Sequence, residues 1–313
     1  MKKILLPVDD SIHSIHAVQY MSMMSSIMKD AIYILFYVQP TVSDYLMEAA
    51  RIDPQAGHKL RQLDETNAAR GIELLNRHKE RMMGRNVPEE RILLFTRKRM
   101  EGVAWDIIHQ AWNESVDAVV MGRRGLSRLQ DILIGSTTRN VIEHNTGIPI
   151  WMVDGKIVSG NILLAVDGST NSLKALNYLC DILRRDPDAS LTLFHAQPSL
   201  RDYCGIEFAE TQSAESDEII SQFIEKANRE CVDNFMRYAL RRLKELEIPE
   251  DRVTLIARPT RLNIGKTIIK EFENGSYGTL VVGKRGVCGG HFMGSVSNYM
   301  VTHLENGALW IVP

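Results

Sequence analysis

Short apolar runs alternate along this chain with longer segments whose apolar positions recur at helical spacing. Residues 4–8 are apolar without alternation, as in a strand buried on both faces. Asp9, Asp10 and Ser11 follow, polar residues suited to opening a helix. Ile15, Val18, Met21, Met24 and Met28 then mark one helical face. Residues 31–38 read as a second buried strand, closed by Pro40. After a polar, variable stretch, residues 59–83 read as a helix with Leu60, Leu63, Ile72, Leu75 and Met82 as apolar positions. Further strands are expected at 91–96, 118–121 and 148–153, with helices at 103–112 and 136–145. Strands alternating with helices predict right-handed crossovers and a parallel sheet covered on both faces.

The same pattern then repeats. Ile4-Leu-Leu-Pro-Val-Asp-Asp-Ser11 returns as Ile162-Leu-Leu-Ala-Val-Asp-Gly-Ser169, and Phe36-Tyr-Val-Gln-Pro40 as Phe194-His-Ala-Gln-Pro198, both at an offset of 158. Val87-Pro-Glu-Glu-Arg91 returns as Ile248-Pro-Glu-Asp-Arg252, now at 161. Val120-Met-Gly-Arg-Arg-Gly125 matches Val281-Val-Gly-Lys-Arg-Gly286, and each half closes on a Trp-containing apolar run. Ordered matches at a nearly constant offset mean duplication of a whole domain. The polar linker around Gly155 divides the chain into domains at 1–156 and 157–313.

Composition changes this picture little. A length of 313 residues suits two ordinary domains, and a formal net charge of -2 offers no broad field for nucleic acid. The apolar runs are too short to span a bilayer, and the first residues form no secretory signal. A cytoplasmic protein without nucleic-acid or membrane partners is expected. Cys180, Cys204, Cys231 and Cys288 form no CxxC pair, so reduced, structural or incidental cysteines are expected.

In open parallel sheets ligands sit beyond the carboxyl ends of the strands, where strand order reverses. Three segments meet that condition. The first is the loop after the fourth strand: Gly122-Arg123-Arg124-Gly125, nine residues including Arg128, then Gly135-Ser136-Thr137 opening a helix. Glycines admit a ligand close to the backbone, and a helix N-terminus offers unpaired N–H groups to a phosphate. A helix cap with ordinary loop glycines explains the same spacing. The second is Asp9, which could meet a ribose, a base amino group or a metal, or simply support the helix cap. The third is the end of the second strand, at Val38 and Ala196. His13 and His16 flank the first turn, but Asn171 and Lys174 replace them in the repeat and no orienting group is evident.

Together these residues resemble the universal stress protein family. The first half matches in Pro7-Val8-Asp9-x-Ser11 and in the complete glycine loop. The second matches in Val166-Asp167-Gly168-Ser169, His195-Ala196, Gly283-x-x-Gly286 and Gly294-Ser295. The resemblance implies an α/β fold: two tandem, open, twisted, five-stranded parallel-sheet domains, Rossmann-like and akin to adenine nucleotide alpha hydrolases. They would be arranged as an intrachain pseudo-dimer joined through their final strands, with a further homodimer open. It implies ATP, AMP or ADP as ligand, with or without magnesium. Asp9 and Val38 would hold the nucleoside, with Pro7, Val8 and Met121 around them. Gly122, Arg123, Arg124, Gly125, Gly135, Ser136 and Thr137 would hold ribose and phosphates. Val166, Asp167, Ala196, Gly283, Gly286, Gly294 and Ser295 are their counterparts. The implied role is in stress response or signalling without strong catalysis. A nucleotide-independent adaptor, using residues 41–59 and 199–220, and a weak ATPase, autophosphorylating protein or adenine-nucleotide hydrolase or ligase are the alternatives. Two departures matter. Asp10 stands where the family has glycine, and seven residues rather than nine separate Gly286 from Gly294, which should reposition the second cradle.

Overall fold

The computed structural model describes residues 2–125, 134–145, 147–183, 190–198, 214–260, 263–285 and 293–313, those at 214–221, 224 and 231 by backbone alone. They form two compact units, Met1–Lys156 and Ile157–Pro313.

In the first unit β1 (Lys3–Pro7) lies at the centre. It pairs in parallel with β2 (Ile32–Gln39) on one side and β4 (Ala118–Gly122) on the other. β3 (Ile92–Lys98) extends the sheet beyond β2, and β5 (Ile150–Val153) beyond β4, both in parallel. The order β3-β2-β1-β4-β5 reverses direction between β1 and β4. Chain travel one way packs α1 (Ile12–Met24) beside α3 (Pro54–Met83). Travel the other way packs α4 (Val103–Asn113) beside α5 (Ser136–His144). Right-handed crossovers therefore cover opposite faces of the sheet. Ile4, Leu5 and Leu6 are sealed from solvent, as the uninterrupted apolar run requires.

The second unit repeats the order. β6 (Ile162–Ala165) lies between β7 (Leu191–Gln197) and β9 (Thr279–Gly283), with β8 (Val253–Pro259) and β10 (Ala308–Val312) outside them. Its helices are α6 (Thr170–Leu183), α7 (Ala214–Glu245), α8 (Ile264–Asn274) and α9 (Ser295–His303). Cys180 of α6 is buried, which pushes its thiol up to about 12 and leaves it unreactive.

Three local features differ from the sequence pattern. The variable stretch contains a short helix, α2 (Asp44–Ala49), capped by Ser43. α3 starts at Pro54, ahead of the expected 59, because Asp53 accepts from the Gln55 and Ala56 N–H groups and proline fits the first turn. Its opening turns are exposed, so no apolar period marks them. The fifth strand begins at Ile150, not 148, because the Asn145 amide bonds the Ile148 backbone in a turn. The repeated Pro-Glu-x-Arg sequence forms a 3-10 turn before each edge strand. In the first unit Arg91 ties that turn to the Ala31 and Met28 carbonyls at 2.8 and 2.6 Å.

Candidate functional site

The turn after β1 is held by side chains. Val8 continues the ladder, its N–H donating to Phe36 O at 2.9 Å. Asp9 Oδ1 then accepts from the Ser11 N–H at 3.0 Å, from the Ser11 hydroxyl, and from the Ser14 hydroxyl at 2.6 Å. Ser11, not Asp9, is the N-cap of α1. One carboxylate oxygen is thus consumed locally. Oδ2 faces Gly125, where an added Cβ would lie 3.0 Å away. The helix turn therefore uses one oxygen of the group, and the other lies toward the loop. Asp10 turns outward, 71% exposed, and pairs with Arg77 of α3 at 3.0 Å.

In the second unit the Ser169 N–H donates to Asp167 Oδ1 at 3.0 Å, repeating the first contact. The rest differs. Ser172 Oγ donates to the Ser169 carbonyl at 2.9 Å rather than to the aspartate. Gly168 adopts a left-handed φ of 77°, which suits glycine, whereas Asp10 keeps a negative φ. Asp10 is accommodated by a different backbone path.

The loop after β4 is anchored alike in both halves. The Gly135 N–H donates to Arg123 O at 2.9 Å, and that of Gly294 to Lys284 O at 3.0 Å. Thr138 Oγ1 donates to Gly122 O at 2.9 Å, and Ser297 Oγ to Gly283 O at 2.7 Å. The shorter second loop therefore keeps both anchors, and the expected repositioning is absent at these points. The difference in length falls between Arg285 and Met293. Gly286 and Cys288, like Arg128 in the first loop, lie outside the described residues. α5 and α9 are N-capped by Gly135 and Gly294, neither with a side-chain cap, which leaves the dipole end of each helix without a carboxylate or hydroxyl cap of its own. Ser136 is exposed and Thr137 half-buried there.

Gly122 has a structural reason. An added Cβ would lie 2.7 Å from His13 Cβ and 2.8 Å from its carbonyl carbon. Gly283 meets Asn171 in the same way at 3.0 Å. These glycines let the first turn of α1 or α6 rest on the strand end, while Gly125 and Gly135 face the loop itself. Met121, Val8 and Val166 are buried; Pro7, Val38 and Ala196 lie on the strands in register with Phe36, Arg97 and Arg258.

The two arginines have different fates. Arg123 is fully buried, its guanidinium 3.2 Å from Asp154. That contact lies at the end of β5. Arg124 is half-buried, and its buried Nε has no hydrogen-bond partner among the described residues. The second unit carries Lys284 and Arg285 at these positions; burial, then Arg285, lowers the Lys284 pKa. Asp154 also gives His13 a carboxylate neighbour that the sequence did not reveal, at 4.0 Å from Nδ1. That is too long for a hydrogen bond. Burial lowers the His13 pKa, opposed by Asp154 and reinforced by Arg124 and His16. Among the described residues no cluster of three or more His, Cys, Asp or Glu side chains is arranged to hold a metal.

The model of the universal stress protein family matches residues 1–154 and again 159–311. The chain belongs to the universal stress protein family. No curated protein sequence matched it. Among solved structures, a universal stress protein from Archaeoglobus fulgidus superposes with a TM-score of 0.64 at 18% identity, covering 99% of this chain and 97% of that one. A putative universal stress protein from Pseudomonas aeruginosa gives 0.57 at 14% identity, covering 100% and 93%. These likenesses are of fold. An Arabidopsis thaliana family protein solved with AMP bound matches 49% of this chain and 90% of its own, at 17% identity and a TM-score of 0.33.

Two residues of this universal stress protein at the first turn escaped the sequence reading. His78 of α3 is 2% exposed and bonds the Asp9 carbonyl through Nε2 at 3.1 Å. Arg77 beside it holds Asp10. Both are polar positions of an amphipathic helix, which no local pattern sets apart. In the second unit His195 Nδ1 bonds the Val166 carbonyl at 2.9 Å instead. His195 was in view there only as part of the family match.

Proposed function

We propose that this universal stress protein binds ATP or AMP at the carboxyl ends of its strands and acts in stress response or signalling. The observation that carries the reading is the approach of Asp9 Oδ2 to Gly125, with Gly135, the N-cap of α5, lying against Arg124 next to it. An anion gains there from N–H groups and the helix dipole, and Asp9 is left to select a hydroxyl or amino donor. The choice of adenine follows family membership; the Arabidopsis member is named with AMP. In this reading Val38, Ser136, Thr137 and Arg124 line the first site, with Asp167, Ala196, Gly294 and Ser295 lining the second. Magnesium would arrive on the phosphates. In this reading the protein works in the cytoplasm. Nucleotide released from freshly purified protein, followed by calorimetry, tests this. Asp9→Ala and Gly135→Val are each expected to weaken ATP binding at least about tenfold, the loss of a charged hydrogen bond or of the close backbone approach. Unchanged affinity in both would remove this site from consideration.

A second reading has its own observation. Tyr45, Leu46, Met47 and Ile52, on and just after α2, are exposed large apolar side chains. Such a patch suits a protein partner, as in an adaptor independent of nucleotide. A specific partner retained by protein with no ATP affinity, and lost in Tyr45→Ser/Ile52→Ser, would favour it.

A further inference from the structure

We propose that α3 clamps the turn of the first domain at two points, and that Arg77 and His78 are positioning residues setting which nucleotide it holds and how tightly. The inference rests on the nucleotide reading above. A carbonyl can only accept, so His78 Nε2 carries the proton it donates to Asp9 O at 3.1 Å. Nδ1 is buried without a partner among the described residues, which disfavours the doubly protonated ring. With Oδ1 of Asp9 taken by Ser11 and Ser14, the histidine fixes the peptide behind the carboxylate, so Oδ2 is held toward Gly125.

Arg77 acts on charge. It meets Asp10 at 3.0 Å and Glu73 at 3.2 Å, drawing the extra carboxylate of this turn toward α3. The close approach of α3 needs Gly71, where an added Cβ would lie 2.7 Å from the Tyr37 ring. At the repeat offset of 161, the second domain has Tyr238 and Ala239 in place of Arg77 and His78. Tyr238 bonds Asn177 there, and Ala239 is buried. Among the described residues the clamp is made in the first domain and not at the matching positions of the second.

The two residues predict different signatures. His78 holds the backbone behind the nucleoside ligand, so its loss acts alike on adenosine, AMP and ATP. Arg77 offsets a negative charge, so its loss grows with phosphate number. Calorimetry with these three ligands on the full chain, carrying Asp167→Ala to suppress the second site, separates them. His78→Leu is expected to weaken all three about tenfold, and His78→Gln, whose amide N–H can stand in for Nε2, to recover most of it. Arg77→Ala is expected to weaken ATP about threefold, AMP less and adenosine not at all, with Asp10→Asn/Arg77→Ala restoring ATP. Equal losses in the two His78 variants, or an Arg77 effect independent of phosphate number, overturns the clamp. So does unchanged binding in every variant while the unsubstituted site binds. An unsubstituted first site that takes none of the three ligands overturns the nucleotide reading and the clamp with it.

Discussion

Asp9 holds the first turn with one oxygen and turns the other toward Gly125, so the proposed binding role would not compete with the structural one. The sequence could place an aspartate at this turn, but not divide its oxygens. Three histidines give a pH prediction. His13, His78 and His195 all have pKa values lowered mainly by burial. Below the ordinary histidine pKa of about 6.5 the unfolded chain takes up protons that the folded chain refuses. Stability is therefore expected to fall as pH drops below about 6.5, and to level off once the folded values are passed. Urea midpoints at pH 7.5 and 5.5 measure this, and His78→Gln should lessen the drop. Gly122 gives a sharper test. Gly122→Ala puts a methyl against the His13 backbone and is expected to cost about 1–3 kcal/mol in unfolding free energy. Gly283→Ala, with its contacts near 3.0 Å, should cost less. Denaturant melts of the two variants rank them.

Among elements, the central strands of the first half were legible because runs such as 4–8 and 118–121 are apolar on both faces, as a doubly covered strand requires, and the second half followed from the repeat. α2 was not legible, since it has no buried side chain and thus no period. The part of the site built from consecutive residues, the Asp-x-Ser turn and the glycine loop, could be read as a string. The part built across elements could not. Arg123 finds Asp154 thirty-one residues away, and His78 finds Asp9 across sixty-nine. No local pattern separates an arginine aimed at a phosphate from one spent on a strand end. α3 is accordingly the element with the most unread chemistry, since it brings Arg77 and His78 to a turn formed before it in the chain.

At the scale of the whole molecule, duplication supplies an internal control. Both halves keep the strand order and both anchors of the glycine loop. They differ in the aspartate network, in the clamp and in loop length. The sites are therefore expected to be unequal, the first binding ATP tighter by about tenfold, or ~1.4 kcal/mol. ATP titrations of Asp9→Ala and Asp167→Ala should show loss of the tighter and the weaker step respectively; identical effects would argue for equivalent sites. Gly122 and Gly283 carry a lesson for reading such duplicated chains. Each is required by the helix resting on it, whether or not a ligand ever arrives. A copy relieved of selection for ligand binding would be expected to keep that glycine. The first letter of the glycine motif thus speaks of foldability, and Gly135, against the Arg124 backbone, does so in part, whereas Gly125, beside the Asp9 carboxylate, speaks more directly of a pocket.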